Sequence, residues 1–409
     1  MKQAAGAHTV AILCPRRVPS NGGYGIVLKG WQSSAVVVLV ALLVAGCAEL
    51  DTAKLATDEL AGRNNGTPGS EAARGYVLGQ LRTFATGANT AETGDAAFLQ
   101  PFTGGTNVVA LIPGTDLADE YVLVGAHYDH LGSCPTADPN DTVCNGATDN
   151  ATGVAAALEI ARRVSKAPLR RSVIIALWDR EEDGLLGSRF YAQNPLIPIA
   201  DTVAYVNFDI LGANLTPALR NTSFAVGAES GGAALTEAVR DAIAEESLDT
   251  MMLSVVFGQG RSDHVSLLAV GVPSIFFSDS TGPCYHTAQD EIDVVDFDKL
   301  HRQIDTGHRV TTNLANTDEP PEFVSGTPLV TFDDVVAASR VIERTLTDLS
   351  RFSPADQAAL IEGHGTARQI LDDGRAAFGD EDLGPLLVAA ANFVTIMTHG
   401  TCDGFLVPT

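Results

Sequence analysis

The chain has 409 residues, too many for one ordinary core with short tails, so one large α/β domain with an added segment is expected. Its formal net charge is −24; the first 47 residues hold Lys2, Arg16, Arg17 and Lys29 and no acid, which leaves 22 basic against 50 acidic groups beyond them. A surface of that sign repels phosphate backbones and argues against nucleic-acid partners.

Lys29 precedes the apolar run Ala35–Val44, which ends in Ala45-Gly46-Cys47. The run suits the hydrophobic region of a signal peptide and falls short of the ~20 residues that span a bilayer. Val44-Ala45-Gly46-Cys47 resembles the bacterial lipobox, in which the Cys is diacylated and becomes the mature N-terminus. Residues 1–47 are therefore expected to be a lipoprotein-type signal, with the chain exported, lipid-anchored through Cys47 to the membrane and facing the periplasm or cell exterior. An uncleaved membrane helix is the alternative. The long stretch 1–26 points to a start codon set too far upstream, and Arg16-Arg17 lies too far from the apolar run for a twin-arginine signal.

Residues 48–66 are polar without periodicity and are expected to form a tether. A helix follows from about Ser70 to 86, where Ala72, Tyr76, Leu78, Leu81 and Phe84 recur with helical spacing. Strand-like runs at Asn107–Gly114 and Tyr121–Ala126 come next, then a helix from Thr152 to about Ala167. Strands at 172–178 and 203–208, a helix near 231–247, strand-like runs at 252–257 and 273–277 and a helix at about 296–316 complete the series. Strands alternating with helices predict a three-layer α/β sandwich, a mixed, mainly parallel sheet flanked by helices on both faces, over residues 67–318. Thr317-Asp-Glu-Pro-Pro-Glu322 reads as a linker, and amphipathic segments near 332–352, 354–378 and 383–398 make residues 319–409 a linker plus a small helical appendix. Its charges look like solvated faces, and no chemistry is expected from it or from His364 and His399.

Beyond Cys47 four cysteines remain, and an even number in an exported chain favours disulfides. Three connectivities are open. Cys134–Cys144 closes a short loop and is the expected pair, which leaves Cys284–Cys402 to tie the C-terminal end to the main domain.

The apolar run Ser172–Leu177 reads as a strand buried on both faces and delivers Glu181 and Glu182 at its C-terminal end, where open α/β sheets place ligands. Adjacent carboxylates repel, and a cation or a division of tasks relieves them. Other strand ends carry similar groups. Tyr121–Ala126 runs into His127-Tyr128-Asp129-His130, Asp149 precedes the helix at Thr152, Asp209 follows 203–208, and Tyr285-His286-Thr287 follows 273–277. Singly, each has a dull reading as a satisfied pair, a helix-start acid, a turn residue or a loop histidine; five together at strand ends do not. Two His and three carboxylates suit zinc, and one shared carboxylate gives each of two ions three protein ligands. Asp129 is placed to accept the other ring N–H of His127 and fix its tautomer.

Gly125–Gly132, Gly146–Gly153, Glu181–Ser188, Asn207-Phe208-Asp209, Ser262-Asp263-His264 with Gly271-Val272-Pro273, and Tyr285-His286-Thr287 with Asp290 and Asp293 resemble, in order, the motifs of the bacterial di-zinc aminopeptidase family, metallopeptidase family twenty-eight of clan MH. The resemblance covers about residues 66–316. It lacks the family's protease-associated insert, and it departs from the pattern at Cys284 and Gln289 without losing a ligand. It implies that Asp149 bridges two Zn2+ ions, that Glu182 and His286 complete one site and His127 and Asp209 the other, and that a cis peptide joins Asp149 to Asn150. It implies a hydroxide shared by the metals, with Glu181 as general base and Asp129 supporting the catalytic set, so that residues are cleaved from peptide N-termini. A single-zinc glutaminyl cyclase needs only Asp149, Glu182 and His286; a related carboxypeptidase family inserts a domain before its last His, for which Asp209 to His286 leaves little room. An inactive surface-binding protein on the same fold would be expected to have lost ligands. Substrate preference rests in loops such as 256–262 and 277–283, where Arg261 would pair with a substrate carboxylate if it faced the pocket and otherwise forms a surface ion pair. Oligomeric state is left open by the sequence.

Overall fold

The computed structural model describes residues 46–134, 136 and 139–402; the expected signal segment up to residue 45 lies outside them. Its strands are β1 (Thr86–Gly87), β2 (Leu99–Phe102), β3 (Gly105–Ile112), β4 (Leu117–His127), β5 (Gly132–Ser133), β6 (Val143–Cys144), β7 (Arg171–Trp178), β8 (Thr202–Phe208), β9 (Thr222–Val226), β10 (Asp249–Leu253) and β11 (Ser274–Ser278). Nine form one mixed sheet in the order β1-β3-β7-β4-β8-β11-β9-β10, with β2 also on β3, and β5 and β6 pair separately. The central strands β7, β4, β8 and β11 run parallel. All eight residues of β7 are buried, which explains why its sequence shows an unbroken apolar run rather than alternation. His127 pairs in register with Trp178, and β8 ends at Phe208, so the three strands release His127, Glu181 and Asp209 at one edge.

Helices α1 (Cys47–Leu55), α2 (Pro68–Leu81), α3 (Thr152–Lys166), α4 (Leu186–Gln193), α5 (Gly232–Ala244), α6 (His264–Leu268) and α7 (Phe297–Asn316) surround the sheet. Helix α7 starts where Asp296 accepts the Lys299 N–H at its N-cap and buries Leu300, Ile304, Gly307, Val310 and Leu314 along one stripe. Gly307 is required there, because a Cβ would stand 2.4 Å from Cζ of Phe208 on β8. Among the described residues no helix is long and apolar enough to cross a membrane.

Four details differ from the sequence reading. Strands β2 and β9 were hidden in short runs that carry no alternation of their own and pair with β3 in the first case and with β10 and β11 in the second. The strand expected at 252–257 begins earlier, at Asp249, and gives way to a turn at Val255–Gly258. The helix expected to reach 86 stops at Leu81.

The tether expected over residues 48–66 is instead a packed element. Ala48, Leu55 and Leu60 are buried against the core, and Asp51 forms an ion pair with Arg162 of α3 at 2.7 Å. Arg63, 1% exposed, donates to the carbonyls of Leu55 (2.6 Å), Tyr128 (2.9 Å), Asn145 (2.6 Å) and Gly146 (3.1 Å), and so braces the loops after His127 and before Asp149 from below. Polar residues satisfied by burial look the same in sequence as polar residues in solvent. Removing Arg63 leaves several buried carbonyls without a donor at roughly 1–3 kcal/mol each. Arg63→Ala is expected to lower stability by at least ~3 kcal/mol in chemical denaturation; a loss below ~1 kcal/mol would show that the brace is dispensable.

Both expected disulfides are present, Cys134–Cys144 and Cys284–Cys402. The C-terminal region is helical, with α8 (Phe332–Thr345), α9 (Pro354–Asp373) and α10 (Asp380–Thr398). It is docked, not appended: Val341 and Ile342 of α8 and Phe393, Ile396 and Met397 of α10 share one apolar cluster with Phe224, Met251 and Phe276 of the sheet. Asp334 accepts from the Ser254 N–H and hydroxyl, both at 2.7 Å, and Arg340 pairs with Asp249 at 2.7 Å.

Candidate metal centre

Parallel strands end in loops that leave side chains free of the ladder, and these loops converge here. The Nε2 of His127 lies 3.3 Å from Oδ1 of both Asp149 and Asp209. These three residues offer ligand atoms within 4.8 Å of one another, and so do His130, Asp149 and Glu182. Asp149 is common to both groups. The Nε2 of His286 lies 3.2 Å from Oδ2 of Asp149 and 3.2 Å from Oε2 of Glu182, yet it has no hydrogen-bond partner. An orphaned buried nitrogen between two carboxylate oxygens fits a cation, and imidazole with carboxylate is a zinc donor set.

The surrounding residues explain how the loops are held. Asp290 accepts from the Thr148 N–H (2.9 Å), the Thr148 hydroxyl (2.8 Å) and the Asp149 N–H (3.0 Å), which fixes the turn carrying Asp149. The Asp149–Asn150 peptide bond is cis, as the resemblance implied. Gly146, with φ +54°, cannot carry a side chain: a Cβ would sit 2.0 Å from the Asp149 carbonyl. A buried chain runs from the Trp178 indole N–H to the Tyr205 hydroxyl (2.8 Å), from that hydroxyl to Asn207 Oδ1 (2.5 Å) and from Asn207 Nδ2 to Ser262 Oγ (2.7 Å), linking the ends of β7 and β8. Arg180, Ile210 and His286 all have positive φ, near +60°, and each adjoins or belongs to the cluster. Left-handed backbone at non-glycine residues costs ~1–3 kcal/mol each, and its concentration here marks a site the rest of the fold must hold in place.

Asp129 acts differently from the sequence reading. Its carboxylate accepts the N–H groups of Glu181 (3.0 Å) and Glu182 (3.3 Å), and so positions the two glutamates. The Nδ1 of His127 is nearer the Asp129 carbonyl, at 3.2 Å, than its carboxylate, at 3.7 Å; the backbone therefore shares in fixing the tautomer that leaves Nε2 toward Asp149 and Asp209. His130, three residues after His127 in the same loop, joins the cluster with no role expected of it from the sequence. Its Nδ1 makes a 2.6 Å bond to Oε1 of Glu182. The sequence assigns no role to Asp290, and nothing in it singles out Arg63.

The two adjacent glutamates are driven apart electrically. Burial pushes the Glu181 carboxyl well above the usual carboxylate range; His127 opposes this, and Asp209, Asp263 and Glu182 add to it. Burial and Asp149 act on Glu182 in the same sense, but His130 and His286 beside it outweigh them and hold it below that range. Asp149 is held well below as well: burial raises it, and the imidazoles of His127 and His286 overcome that. Neighbouring titratable groups with opposed shifts are a signature of divided acid/base and ligand roles. A cavity of about 130 Å³ opens on Asp149, Glu181, Glu182 and Asp209. Arg261 borders it, exposed and without an ion pair among the described residues, so the surface salt bridge weighed for it in the sequence does not form.

The model of peptidase family M28 matches residues 107–311. A stretch of 322 residues is 27% identical to leupeptin-inactivating enzyme 1 of Streptomyces exfoliatus, covering 72% of this chain and 67% of that one. A probable zinc metalloprotease of Pyrenophora teres f. teres is 36% identical over 107 residues, 26% of this chain and 23% of its own length. The glutaminyl cyclase of Porphyromonas gingivalis superposes with a TM-score of 0.51 at 21% identity, over 64% of this chain and 96% of that one, and so shares the fold. The chain spans about a quarter of the length of two of the fungal relatives it matches and 54–61% of three others.

Proposed function

The chain belongs to peptidase family M28, and from that premise we propose that it is a zinc-dependent aminopeptidase that removes N-terminal residues from peptides. The observation that carries this reading is the gathering of His127, Asp149, Glu182, Asp209 and His286 in one cluster, whose carboxylates Asp149, Glu182 and Asp209 open with Glu181 onto one cavity. His127, Asp149 and Asp209 would hold one zinc ion and Asp149, Glu182 and His286 a second. His286 is preferred to His130 for that role because its Nε2 lies 3.2 Å from both Asp149 Oδ2 and Glu182 Oε2, whereas the short carboxylate contact of His130 is to Glu182 through Nδ1.

Zinc bound there supplies a Lewis acid for the scissile carbonyl and lowers the pKa of a water toward neutrality. Glu181 takes the proton of the attacking water on a carboxylate oxygen and passes it to the departing amine; it lines the cavity beside Asp149 and Asp209, where that water would be held. Asp129 keeps the Glu181 carboxylate at the cavity by anchoring its backbone N–H. The acidic cluster offers a counter-charge to the free α-amine of a peptide. A single-zinc cyclase would leave His127 and Asp209 without a task, yet they stand 3.3 Å apart in the cluster. An inactive binding protein would have no use for a paired Glu181 and Glu182.

A digest of a mixed peptide library with mass-spectrometric readout tests the reading. The expected result is progressive loss of N-terminal residues from unblocked peptides. Arg261 at the cavity rim is placed to meet a substrate carboxylate, in which case dipeptides and other short peptides are consumed first. Loss of C-terminal residues, or cleavage of N-acetylated peptides in preference to free ones, would overturn the aminopeptidase assignment.

A further inference from the structure

Four cations are buried among the described residues, and three of them touch a carboxylate: Arg162 meets Asp51 at 2.7 Å, Arg171 meets Glu120 at 2.7 Å and Lys299 meets Asp279 at 2.9 Å. Arg63 is the exception. Its hydrogen bonds all go to main-chain carbonyls, those of Leu55, Tyr128, Asn145, Gly146 and, at 3.5 Å, Asp149, and among the described residues no carboxylate forms an ion pair with it. We propose that Arg63 acts on the metal centre through its charge: held under the turn that carries Asp149, it offsets the surplus negative charge of the carboxylates, which loosens the site's hold on zinc and favours the negative charge that forms on the scissile carbonyl when water attacks. The inference rests on the zinc aminopeptidase reading above and goes beyond the service of Arg63 as a brace, which asks only for hydrogen-bond donors.

Three features support it. A desolvated charge is costly unless an opposite charge answers it. Burial lowers the hold of the guanidinium on its proton, to a pKa of about 10, and Asp149, Asp129, Asp290 and Glu182 oppose the fall, so the group stays charged near neutrality and what it faces is the acidic cluster. That cluster has need of a cation. The carboxylates of Asp129, Asp149, Glu181, Glu182, Asp209 and Asp290 outnumber the positive charges that two zinc ions would bring, and an anion formed by attack of water adds to the surplus. The guanidinium is also fixed before any substrate arrives. Ala61, Gly62 and Arg63 are left-handed in succession, with φ of +46°, +64° and +50°, a strained conformation for the two that are not glycine. A Cβ on Gly62 would stand 2.4 Å from the Cys144 carbonyl and 2.7 Å from the Gly132 Cα, so the segment is wedged between the loop after His127 and the loop before Asp149. A charge fixed in a low-dielectric site needs no reorganisation as the transition state forms. Nothing in the family match supplies it, since that match starts at residue 107.

The test compares Arg63→Lys with Arg63→Gln in the full chain. Both lose the guanidinium fork and most of its bonds, and only the first keeps the charge. Zinc dissociation constants are measured by chelator competition, and kcat and KM at saturating zinc with leucine 4-nitroanilide, once circular dichroism has shown that the variants are folded. At an effective dielectric constant of ~20, a unit charge several ångströms away is worth about tenfold or more in an equilibrium. Arg63→Gln is therefore expected to bind zinc at least ~10-fold more tightly than Arg63→Lys, and to turn over at least ~10-fold more slowly with KM changed less than ~3-fold. A residue that served only as a brace would weaken zinc alike in both variants. Equal zinc affinities, tighter zinc in Arg63→Lys, or equal kcat overturns the proposal. If Arg63→Gln does not fold, Arg63→Lys is compared with the wild-type chain, and its zinc affinity and kcat are expected within ~3-fold although its stability falls. Failure of Arg63→Lys to fold, or a loss of ~10-fold in either quantity, would show that the position needs the bonds and not the charge, and overturns the proposal. If no chain cleaves the anilide, the aminopeptidase reading falls, and the zinc comparison alone decides whether Arg63 acts through its charge.

Discussion

Glu181→Gln is expected to lower kcat by roughly 10³-fold while leaving the zinc content unchanged. The amide keeps the size and the backbone anchorage to Asp129, but it cannot accept the proton of the attacking water or return it to the amine. Glu181 also stands apart from the metal-facing pairs: the short contacts to imidazoles in the cluster belong to Asp149, Glu182 and Asp209. Glu182→Gln serves as the control. Glu182 contacts His130 at 2.6 Å and His286 at 3.2 Å, and its change should cost metal as well as turnover. Steady-state kinetics and elemental analysis on the same preparations decide the matter. Near-normal turnover in Glu181→Gln, or loss of zinc in it, would remove Glu181 from the role of base.

The wild-type chain should carry close to two zinc ions, and Asp149→Ala should carry fewer than one and lose activity by far more than the ~10–100-fold typical of losing an outer partner of a ligand. Asp149 is the carboxylate common to both ligand groups, with Oδ1 facing His127 and Oδ2 facing His286. Its substitution therefore disables both positions, whereas changing Asp209 or Glu182 disables one. The turn that carries it is held by Asp290 through backbone and Thr148 contacts that the substitution leaves in place, so the fold should survive and circular dichroism should be unchanged. One ion in the wild-type chain after zinc reloading would favour the cyclase-like reading. Two ions retained in Asp149→Ala would show that this residue does not bridge.

Particular residues show what was legible in the chain. The unbroken apolar run of β7 announced a doubly buried strand, and the rule that ligands gather at the C-terminal ends of parallel strands then pointed to His127, Glu181, Glu182 and Asp209. The spacing of α7 gave a helix almost to the residue. Short elements were harder, since the five buried residues of β9 are covered by distant parts of the chain, α8 and α10 among them, rather than marked by any pattern of their own. Arg63 was invisible because nothing in a local window distinguishes a buried arginine bonded to four carbonyls from a solvated one.

By itself the sequence determined the central parallel strands, the family and the candidate ligating side chains at strand ends, because the strands show in short-range periodicity and the candidates in residue chemistry. The tertiary structure alone decided which atoms those residues present to one another, that the segment before residue 66 is a brace, and that the C-terminal helices wall the cavity. The physical reason is that periodicity reports that a helix has a buried face, while the partner of that face is set by packing across distances of a hundred residues or more, as between Phe276 on β11 and Phe393 on α10.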